Sequence, residues 1–527
     1  MQPHLTFAGH LRALLVLGLP IVGSQLAQMS LHTTDIVMMG WYGVEPLAAL
    51  VLGTSVWFLM FIFGTGFGNA VMPMVAAASA NGGDVEVRRV TRMALWLSIL
   101  WSTATLPVMW FSGPILLAIG QKPDIAAMAQ DFLRIACFGM FPALAVVCLR
   151  SFLVALERTQ VVLWITVAGF FGNAALVWAL VFGHWGAPEL GVRGAAMASL
   201  ITQLLTMLAT MAYAGWFGPL RRFQLFIRFW RPDWVAFGRV WRLGWPIGLT
   251  ALFEAGMFIA AAVMMGWLGA LPLAAHGIAM QAAAIGFMVH LGISQALTVR
   301  TGQALALHDM AGMRDGAFAG IALSVIVAVS VVAAMLLIPA PIVGLFVSND
   351  DPQRAGLMAI GVQLLAMAAL FHFTDAMQVI ALGLLRGVQD TRTPMLIASV
   401  SYWVIGIPCS YLVGFVFNVG AVGVWLGLVV GLAVAAVLLM CGSGANRSTW
   451  PGQMPAPRWR RATTNRRARR PAVRAVPRIN RARAQIRMWG QMIPSSAAPV
   501  TTAMRCGLAK RPLKSAANPS ARPSSRI

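Results

Sequence analysis

Charged residues are scarce in this sequence. They make up 10% of its 527 residues, against 59% hydrophobic residues. A soluble globular protein typically carries about 25% charged residues. One core surrounded by water could not bury this much apolar surface, so the excess requires lipid as its solvent. The low charge content excludes an ordinary water-soluble protein and indicates an integral membrane protein.

Cysteine is also sparse, and its spacing indicates no site. The five Cys residues form no CxxC pair and no cluster typical of a disulfide framework or a zinc site. The sequence has no GxxxxGK motif followed by Ser or Thr, so the chain itself is not expected to hydrolyse ATP. It also lacks HExxH. We therefore expect no enzyme and no cofactor other than a coupling ion.

Acidic residues are absent from one part of the chain altogether. Nineteen of the 39 basic residues, and none of the 16 acidic ones, lie between residues 442 and 527. Three interpretations of this tail stay open: a disordered cytoplasmic extension, a segment attracted to anionic lipid or nucleic acid, and an end translated out of frame. The strong positive charge belongs to the tail, and we expect no nucleic-acid partner for the body.

What the sequence does contain is long apolar runs, twelve of them. Each has about 20 residues or more, the length that an α-helix needs to cross a bilayer. Strands of a barrel would instead show alternating segments of ~10 residues. We predict an all-α membrane protein with twelve transmembrane helices. The predicted runs are 12–41, 47–80, 91–121, 125–156, 160–183, 192–216, 240–268, 273–305, 314–346, 357–386, 393–417 and 421–441.

Basic residues in the loops predict the orientation of these helices. If the N-terminus is cytoplasmic, only Lys122, Arg134, Arg193 and Arg354 of the body lie towards the outside. The positive-inside rule expects such a bias. We predict a multi-pass monomer of the bacterial inner membrane with both termini in the cytoplasm, in contact with membrane lipid.

The chain repeats itself with an offset of 226 residues. The segment Leu17-Gly18-Leu19-Pro20 recurs as Leu243-Gly244-Trp245-Pro246, and VMMGW occurs at 37–41 and at 263–267. Six helices per half is an even number, so both halves enter the membrane from the same side, as parallel repeats. Two pseudo-symmetric six-helix lobes are predicted. The predicted segments are an N-lobe over 1–216, a basic cytoplasmic connector over 217–239, a C-lobe over 240–441 and the tail over 442–527.

Three acidic residues lie well inside the predicted helices: Asp35, Glu254 and Asp375. An ionisable group in hydrocarbon costs ~2.5–3.5 kcal/mol on insertion scales and therefore indicates a function. Pairing with a distant Arg is the structural alternative. A carboxyl in a cavity can exchange a proton, or a Na⁺ ion bound to several oxygens, for a cationic substrate. We predict that the three acids couple H⁺ or Na⁺ to transport, with Glu254 and Asp375 as the candidate Na⁺ ligands.

Polar residues in the same helices are predicted auxiliaries of a substrate cavity. Amides in membrane helices also join neighbouring helices by hydrogen bonds. Abundant Met, Trp and Phe side chains suit flat apolar cations, and they equally suit packing. The predicted auxiliaries are Gln28, Asn69, Asn173, Gln281, Gln295 and Gln378.

Four segments resemble one transporter family. They are TTDIVMMG around Asp35, GWPIGLTALFEAGMF around Glu254, FHFTDAMQVIALGLLRGVQDTRTP around Asp375, and GAPELGVRGAA at 186–196. Together they are similar to the multidrug and toxic compound extrusion (MATE) family, above all to its NorM-like bacterial branch, over about residues 9 to 441. The resemblance implies a twelve-helix antiporter that expels cationic drugs and dyes in exchange for Na⁺ or H⁺.

The resemblance also implies roles for single residues. Glu254 and Asp375 would form a cation site in the C-lobe, and Asp35 would serve the N-lobe near Asn173. Two positions depart from the family pattern. Phe371 stands where the family can have a tyrosine, so a hydroxyl ligand is missing although an aromatic face remains. Val177 stands where a polar residue can occur.

Three alternatives compete with a cation-coupled multidrug exporter. A lipid-linked oligosaccharide flippase shares the superfamily scaffold, but its cavity would be expected to hold several Arg residues, whereas three acids favour cationic cargo. A membrane transferase or hydrolase would need paired catalytic groups or a metal cluster, and the sequence shows neither. A non-functional product would result if the tail disturbed the twelfth helix.

Overall fold

The computed structural model of this chain describes residues 6–347 and 352–445. Within these residues the secondary structure is helical, without strands. Twelve helices are long and apolar enough to cross a membrane, which confirms the predicted fold class. We number them α1 Phe7–Tyr42, α2 Val44–Ala80, α3 Asp84–Trp110, α4 Pro123–Ala155, α5 Thr159–Phe182, α6 Gly191–Trp216, α7 Trp234–Leu268, α8 Ala270–Ala306, α9 Met310–Leu337, α10 Arg354–Gly387, α11 Arg392–Val416 and α12 Ala421–Cys441.

Two segment boundaries differ from the prediction. Helix α7 begins at Trp234, inside the predicted connector 217–239, because the side chain of Asp233 accepts a hydrogen bond from the backbone N–H of Ala236 (3.1 Å) and caps the helix there. The backbone of α12 remains helical through Ala445, beyond the predicted end at 441. The rest of the predicted tail, 446–527, lies outside the described residues.

The third span of each half is followed by a short helix that the prediction merged with it. The predicted runs 91–121 and 314–346 were therefore too long. Helix α3 is followed by Ser112–Ala118, and α9 by Pro339–Gly344. Proline at the start of a helix costs no hydrogen bond, so Pro339 favours a new helix at that point. The two short helices lie almost one repeat apart in the sequence.

The two lobes meet where glycines bring helices into backbone contact. Helix α2 packs on α7, and α1 packs on α8. A Cβ atom at Gly66 in α2 would overlap with the carbonyl oxygen of Gly244 and the amide nitrogen of Gly248 in α7. At the other crossing, a Cβ atom at Gly292 in α8 would overlap with the side chain of Val22 in α1. These crossings tolerate no side chain at either glycine.

The two crossings are copies of each other. Gly18 and Gly244 are one repeat apart, and so are Gly66 and Gly292. Close approach through small residues is a common way to pack helices in lipid, where the hydrophobic effect does not drive helices together. All four glycines lie in the half of their helix nearer the predicted cytoplasmic side, so the lobes are in contact on that side.

Ion pairs join the starts of α3 and α7 at the same end of the bundle. The guanidinium of Arg89 donates to the carboxylate of Asp233, and Arg239 pairs with Glu86. The hydrogen bond from Arg89 lowers the pKa of Asp233, and the N–H of Ala236 acts in the same direction. Asp233 therefore caps α7 and ties it to the N-lobe.

We expect Asp233→Ala to lower the free energy of unfolding by about 1 kcal/mol through the lost helix cap. Because the pKa of Asp233 is lowered in the folded protein, its stabilisation is complete above the unfolded pKa of about 3.9 and is lost as the pH falls through the folded value. Thermal unfolding of the purified protein should show a difference between wild type and variant at pH 7 that shrinks towards pH 3. Asp315→Ala, at an exposed carboxylate of α9, is the control; an equal effect there would contradict this assignment.

Candidate functional site

Two of the three predicted acids meet in the C-lobe. Glu254 on α7 and Asp375 on α10 interact electrostatically. Asp375 is buried, and Glu254 is partly exposed although its Oε1 atom is buried. Gln378 lies one turn after Asp375 on the same helix, with its amide beside the Glu254 carboxyl. The structure thus brings the predicted residues Glu254, Asp375 and Gln378 into one cluster.

Two further side chains complete this cluster, and sequence reasoning missed both. Arg386 on α10 and Tyr402 on α11 each interact electrostatically with Glu254. Tyr402 is fully buried and is one of only four tyrosines in the sequence, a rarity that could have drawn attention to it. Pairing with a distant Arg was the structural alternative for each acid. Arg386 is near enough to Glu254 to interact with it electrostatically, but within the described residues the two side chains form no ion pair.

Several buried polar atoms of this cluster have no hydrogen-bond partner among the described residues. They are Oε1 of Glu254, Oδ1 of Asp375, both amide atoms of Gln378 and the hydroxyl of Tyr402. The amide of Gln378 is near enough to the Glu254 carboxyl to act on it, but the two side chains do not reach hydrogen-bond geometry. Leaving a buried polar group unpaired costs about 1–3 kcal/mol. Four of these five atoms are oxygens, which hard cations prefer as ligands. The cluster contains two carboxyls and one guanidinium, so one additional positive charge would balance its net charge.

Phe371 belongs to the aromatic core beside the cluster. Its ring packs edge-on against Phe258 and Trp425, with centroid distances of 5.8 and 5.7 Å. The side chain is 3% exposed, so it packs in the C-lobe core. Phe371 and Tyr402 belong to the same buried cluster of the C-lobe.

The third acid, Asp35, lies in the N-lobe. Nδ2 of Asn173 on α5 donates to Oδ1 of Asp35 (2.5 Å), and the hydroxyl of Thr202 on α6 donates to Oδ1 of Asn173 (3.1 Å). Ser199 lies beside Asp35 and lines the same cavity. The structure therefore joins Asp35 and Asn173 directly, and adds two hydroxyls from α6 that the sequence did not single out.

Asp35 and Asn173 line an N-lobe cavity of about 60 Å³. Most of its wall is apolar, and it includes the ring of Trp57, which stacks on Phe61 at 4.6 Å. A second cavity of about 60 Å³ adjoins it. Four residues between the two cavities line both of them: Leu31, His32, Thr202 and Gln203.

The remaining predicted auxiliaries fall in different places. Gln28 lines the second cavity and accepts a hydrogen bond from Arg150 at 2.9 Å. Within the described residues, Asn69 on α2 and both Gln281 and Gln295 on α8 make no hydrogen bond to any of the three acids. Only part of the predicted auxiliary set therefore surrounds the acids.

Comparison with known proteins supports the same view of the chain. The MatE family model matches residues 20–179 and again residues 246–412, two segments related by the internal repeat. A protein named probable multidrug resistance protein NorM, from Rhizobium meliloti (strain 1021), is 47% identical over 430 residues, which cover 82% of this chain and 92% of the relative. A protein of the same name from Agrobacterium fabrum is 40% identical with the same coverage.

Solved structures share the fold at much lower sequence identity. An outward-facing conformation of a multidrug resistance MATE family transporter of the MOP superfamily gives a TM-score of 0.77 at 19% identity, covering 84% of this chain and 97% of that one. The crystal structure of the eukaryotic MATE transporter AtDTX14 gives 0.75 at 19% identity, covering 82% and 95%. These likenesses show that the two-lobed, twelve-helix architecture is that of MATE transporters.

Proposed function

Since this chain belongs to the MATE (MatE) family, we propose that it exports cationic, amphipathic organic compounds across the bacterial inner membrane in exchange for Na⁺ or H⁺. The observation that carries the proposal is the C-lobe cluster, where buried oxygens of Glu254, Asp375, Gln378 and Tyr402 lack partners. The names of the relatives, multidrug resistance proteins, support the choice of organic cargo.

The C-lobe cluster is the proposed ion site. Arg386 balances one of its two carboxyls, so a single monovalent cation completes the charge balance. A proton would bind one carboxyl oxygen, whereas Na⁺ would draw on several of the unpaired oxygens. Either ion removes the repulsion between Glu254 and Asp375, so ion binding stabilises this packing of the C-lobe.

The N-lobe cavity is the proposed substrate site. Its apolar and aromatic wall, with the indole of Trp57, suits a flat organic cation through burial and cation–π attraction. Asp35 supplies the countercharge, and Asn173 holds that carboxylate in place. The substrate and the coupling ion would thus occupy different lobes.

Alternating access would then be a movement of the lobes against each other. The glycine crossings and the Arg89–Asp233 ion pair hold the lobes together on the predicted cytoplasmic side. Loading of substrate from the cytoplasm requires these contacts to open, and export requires them to close again. Many transporters built from repeats rock one half against the other around a site near the membrane midplane.

Transport by purified full-length protein in liposomes tests this proposal. With ethidium as the probe, we expect dye movement that follows an imposed Na⁺ or H⁺ gradient, reverses with it, and stops when the gradient is dissipated. Protein-free liposomes are the control for leak. Correctly inserted protein that moves no ethidium under either gradient would contradict the proposed function, and movement under only one gradient would identify the coupling ion.

A further inference from the structure

A cavity at the predicted cytoplasmic end of the bundle is lined mainly by arginines. It has a volume of about 440 Å³ and lies between the start of α3 and the connector before α7, residues 217–233. Among the described residues that line it, Asp233 is the only acid, and it pairs with an arginine of the same lining. The other arginines of the lining form no ion pair within the described residues, so the cavity keeps an excess of positive charge. The arginines that line it are Arg88, Arg89, Arg92, Arg228 and Arg231.

Helix α3 places three of these arginines on one face. Arg92 follows Arg89 by three residues and Arg88 by four, so the three side chains are neighbours on the helix surface. Arg88 and Arg89 both act electrostatically on Arg92, and like charges repel. A cleft lined by charges of one sign raises the local concentration of ions of the opposite sign. This face of α3 therefore favours an anion in the cavity.

Arg92 is the buried member of the group. It is 9% exposed, and its Nη1 donates to the backbone carbonyl oxygens of Arg228 (2.9 Å) and Ile227 (3.4 Å), which are neutral acceptors. Its Nε is buried without a hydrogen-bond partner among the described residues, and its Nη2 donates to none of them either. A buried cation is normally paired. The unused donors and the unbalanced charge of Arg92 thus point to an anionic ligand in the cavity that it lines.

Contacts between α3 and the connector keep this cavity formed. Nη1 of Arg88 donates to Oε1 of Gln224 (3.1 Å), and the indole N–H of Trp96 donates to the carbonyl of Phe229 (3.0 Å). Gln224 and Arg228 have φ angles of 49° and 54°, in the left-handed region that residues with a Cβ atom rarely adopt. Such a backbone persists only where its surroundings hold it. The cavity is therefore a preformed feature of the connector.

The surroundings of the cavity suit a lipid headgroup. Ile227 lines the cavity and is exposed, and the exposed indoles of Trp230 and Trp234 are its neighbours in the connector. Tryptophan is enriched where a protein crosses the membrane surface, and the cytoplasmic leaflet carries anionic lipids. The apolar run of α3 begins only at residue 91, so Arg88 lies at the level of the headgroups. A lipid would meet both the arginines and the apolar side chains, whereas a free phosphate would use only the arginines.

We propose that this cavity binds the phosphate of an anionic phospholipid from the cytoplasmic leaflet. Guanidinium groups make short, charge-assisted hydrogen bonds to phosphate oxygens, and Arg92 has donors to spare. Because α3 belongs to the N-lobe and the connector leads into α7 of the C-lobe, the bound headgroup links the lobes beside the Arg89–Asp233 ion pair. The site is separate from the C-lobe cluster and from the N-lobe cavities, so it can be present whether or not the chain exports cations.

Binding of short-chain lipids to the purified full-length chain in a neutral detergent tests this proposal. Dioctanoylphosphatidylglycerol is the anionic probe. Dioctanoylphosphatidylcholine, with the same acyl chains and a phosphate but no net charge, is the matched lipid. By isothermal titration calorimetry we expect the anionic lipid to bind wild type at least about tenfold more tightly, because it brings a net negative charge to several unpaired arginines. Titration into protein-free micelles gives the background heat.

Variants locate the bound lipid. In Arg228→Gln/Arg231→Gln the preference for the anionic lipid should fall by about tenfold, because two positive charges are lost from the cavity. Neither side chain makes a hydrogen bond or ion pair within the described residues, so we expect this variant to fold. Arg92→Gln should weaken the preference too. Arg12→Gln, at an exposed arginine on the same predicted side, should keep the wild-type preference. The basic tail is present in every variant, so it does not contribute to these differences.

Inorganic phosphate identifies the source of the bound phosphate group. Sodium phosphate, compared with sodium chloride at equal ionic strength, should bind at least about tenfold more weakly than phosphatidylglycerol, because it has no acyl chains to bury. Equal affinity would overturn the lipid and make the ligand a soluble phosphate. Equal binding of the two lipids by wild type would overturn the anionic site. An unchanged preference in folded Arg228→Gln/Arg231→Gln would place the anionic lipid elsewhere and also contradict the proposal.

Discussion

Replacing a C-lobe acid by its amide, in Glu254→Gln or Asp375→Asn, is expected to slow gradient-driven export by at least about 100-fold, or ~2.7 kcal/mol of barrier. The amide keeps the size and shape of the side chain but removes the charge that attracts the coupling ion. Unfolding temperatures give a second readout. Glu254 and Asp375 carry like charges in a buried cluster, so Asp375→Asn should leave the protein equally stable or more stable.

Initial rates of ethidium transport, at equal protein density in liposomes, measure this effect under both Na⁺ and H⁺ gradients. Glu45→Gln is the matched control, since Glu45 is an exposed carboxylate at the start of α2. If both amide variants kept wild-type rates, the C-lobe cluster would have no part in coupling. A large drop in stability for Asp375→Asn would instead make that acid a structural residue.

We expect that the two lobes cannot close on the predicted cytoplasmic side when Gly66 or Gly292 gains a side chain. In Gly66→Leu the new Cβ atom overlaps with backbone atoms of Gly244 and Gly248, which cannot rotate away as a side chain could. Overpacking in a core typically costs 1–3 kcal/mol, and we expect about 3 kcal/mol or more here, with loss of transport. Gly292→Leu, at the equivalent position of the other crossing, should have a similar effect.

Thermal unfolding in detergent and ethidium transport measure the consequence of both substitutions. Gly277→Leu in α8 is the control, because a Cβ atom at Gly277 meets open space. That variant should be folded and active. A stable Gly66→Leu protein with wild-type transport would mean that the backbone contact between α2 and α7 is not needed in the transport cycle.

The twelve helices could be predicted because the thickness of a bilayer imposes a minimum length on every apolar run. The ends of helices were harder, since local contacts decide them. Asp233 caps α7 earlier than the hydrophobic pattern indicates. At α3, composition alone did not show the break before the short helix Ser112–Ala118. The number of helices could therefore be predicted from the thickness of the bilayer, whereas the ends of the helices depended on the contacts of individual side chains.

The three acids could be identified because a carboxyl inside a membrane-spanning helix has a high free-energy cost, whichever face of the helix carries it. Their neighbours could not, because a hydroxyl or amide in a membrane helix serves equally as a link between helices. Whether Thr202 reaches Asn173, or Tyr402 reaches an acid, depends on the rotation of α6 and α11, which packing against other helices decides. The family resemblance implied that Asn173 lies near Asp35, which composition alone could not predict. The hydrogen bond between the two side chains is a finding of the structure.

Arg150 shows a further limit of sequence reasoning. Counting loop charges assigns arginines to a side of the membrane and says nothing about what each guanidinium contacts. Only the structure shows that Arg150 turns to two glutamines of α1 and lines a cavity. A flippase cavity was expected to hold several such arginines, and the described lining of the N-lobe cavities includes this one.

The glycine crossings have a mechanical consequence. Where Gly66 of α2 touches the backbone of Gly244 and Gly248 of α7, none of these three residues has a side chain to interlock, so this contact can part and form again without a rotamer change at them. The lifetime of the state in which the lobes are closed on the cytoplasmic side would then depend mainly on two ion pairs between α3 and the start of α7. These are Arg89 with Asp233, and Arg239 with Glu86.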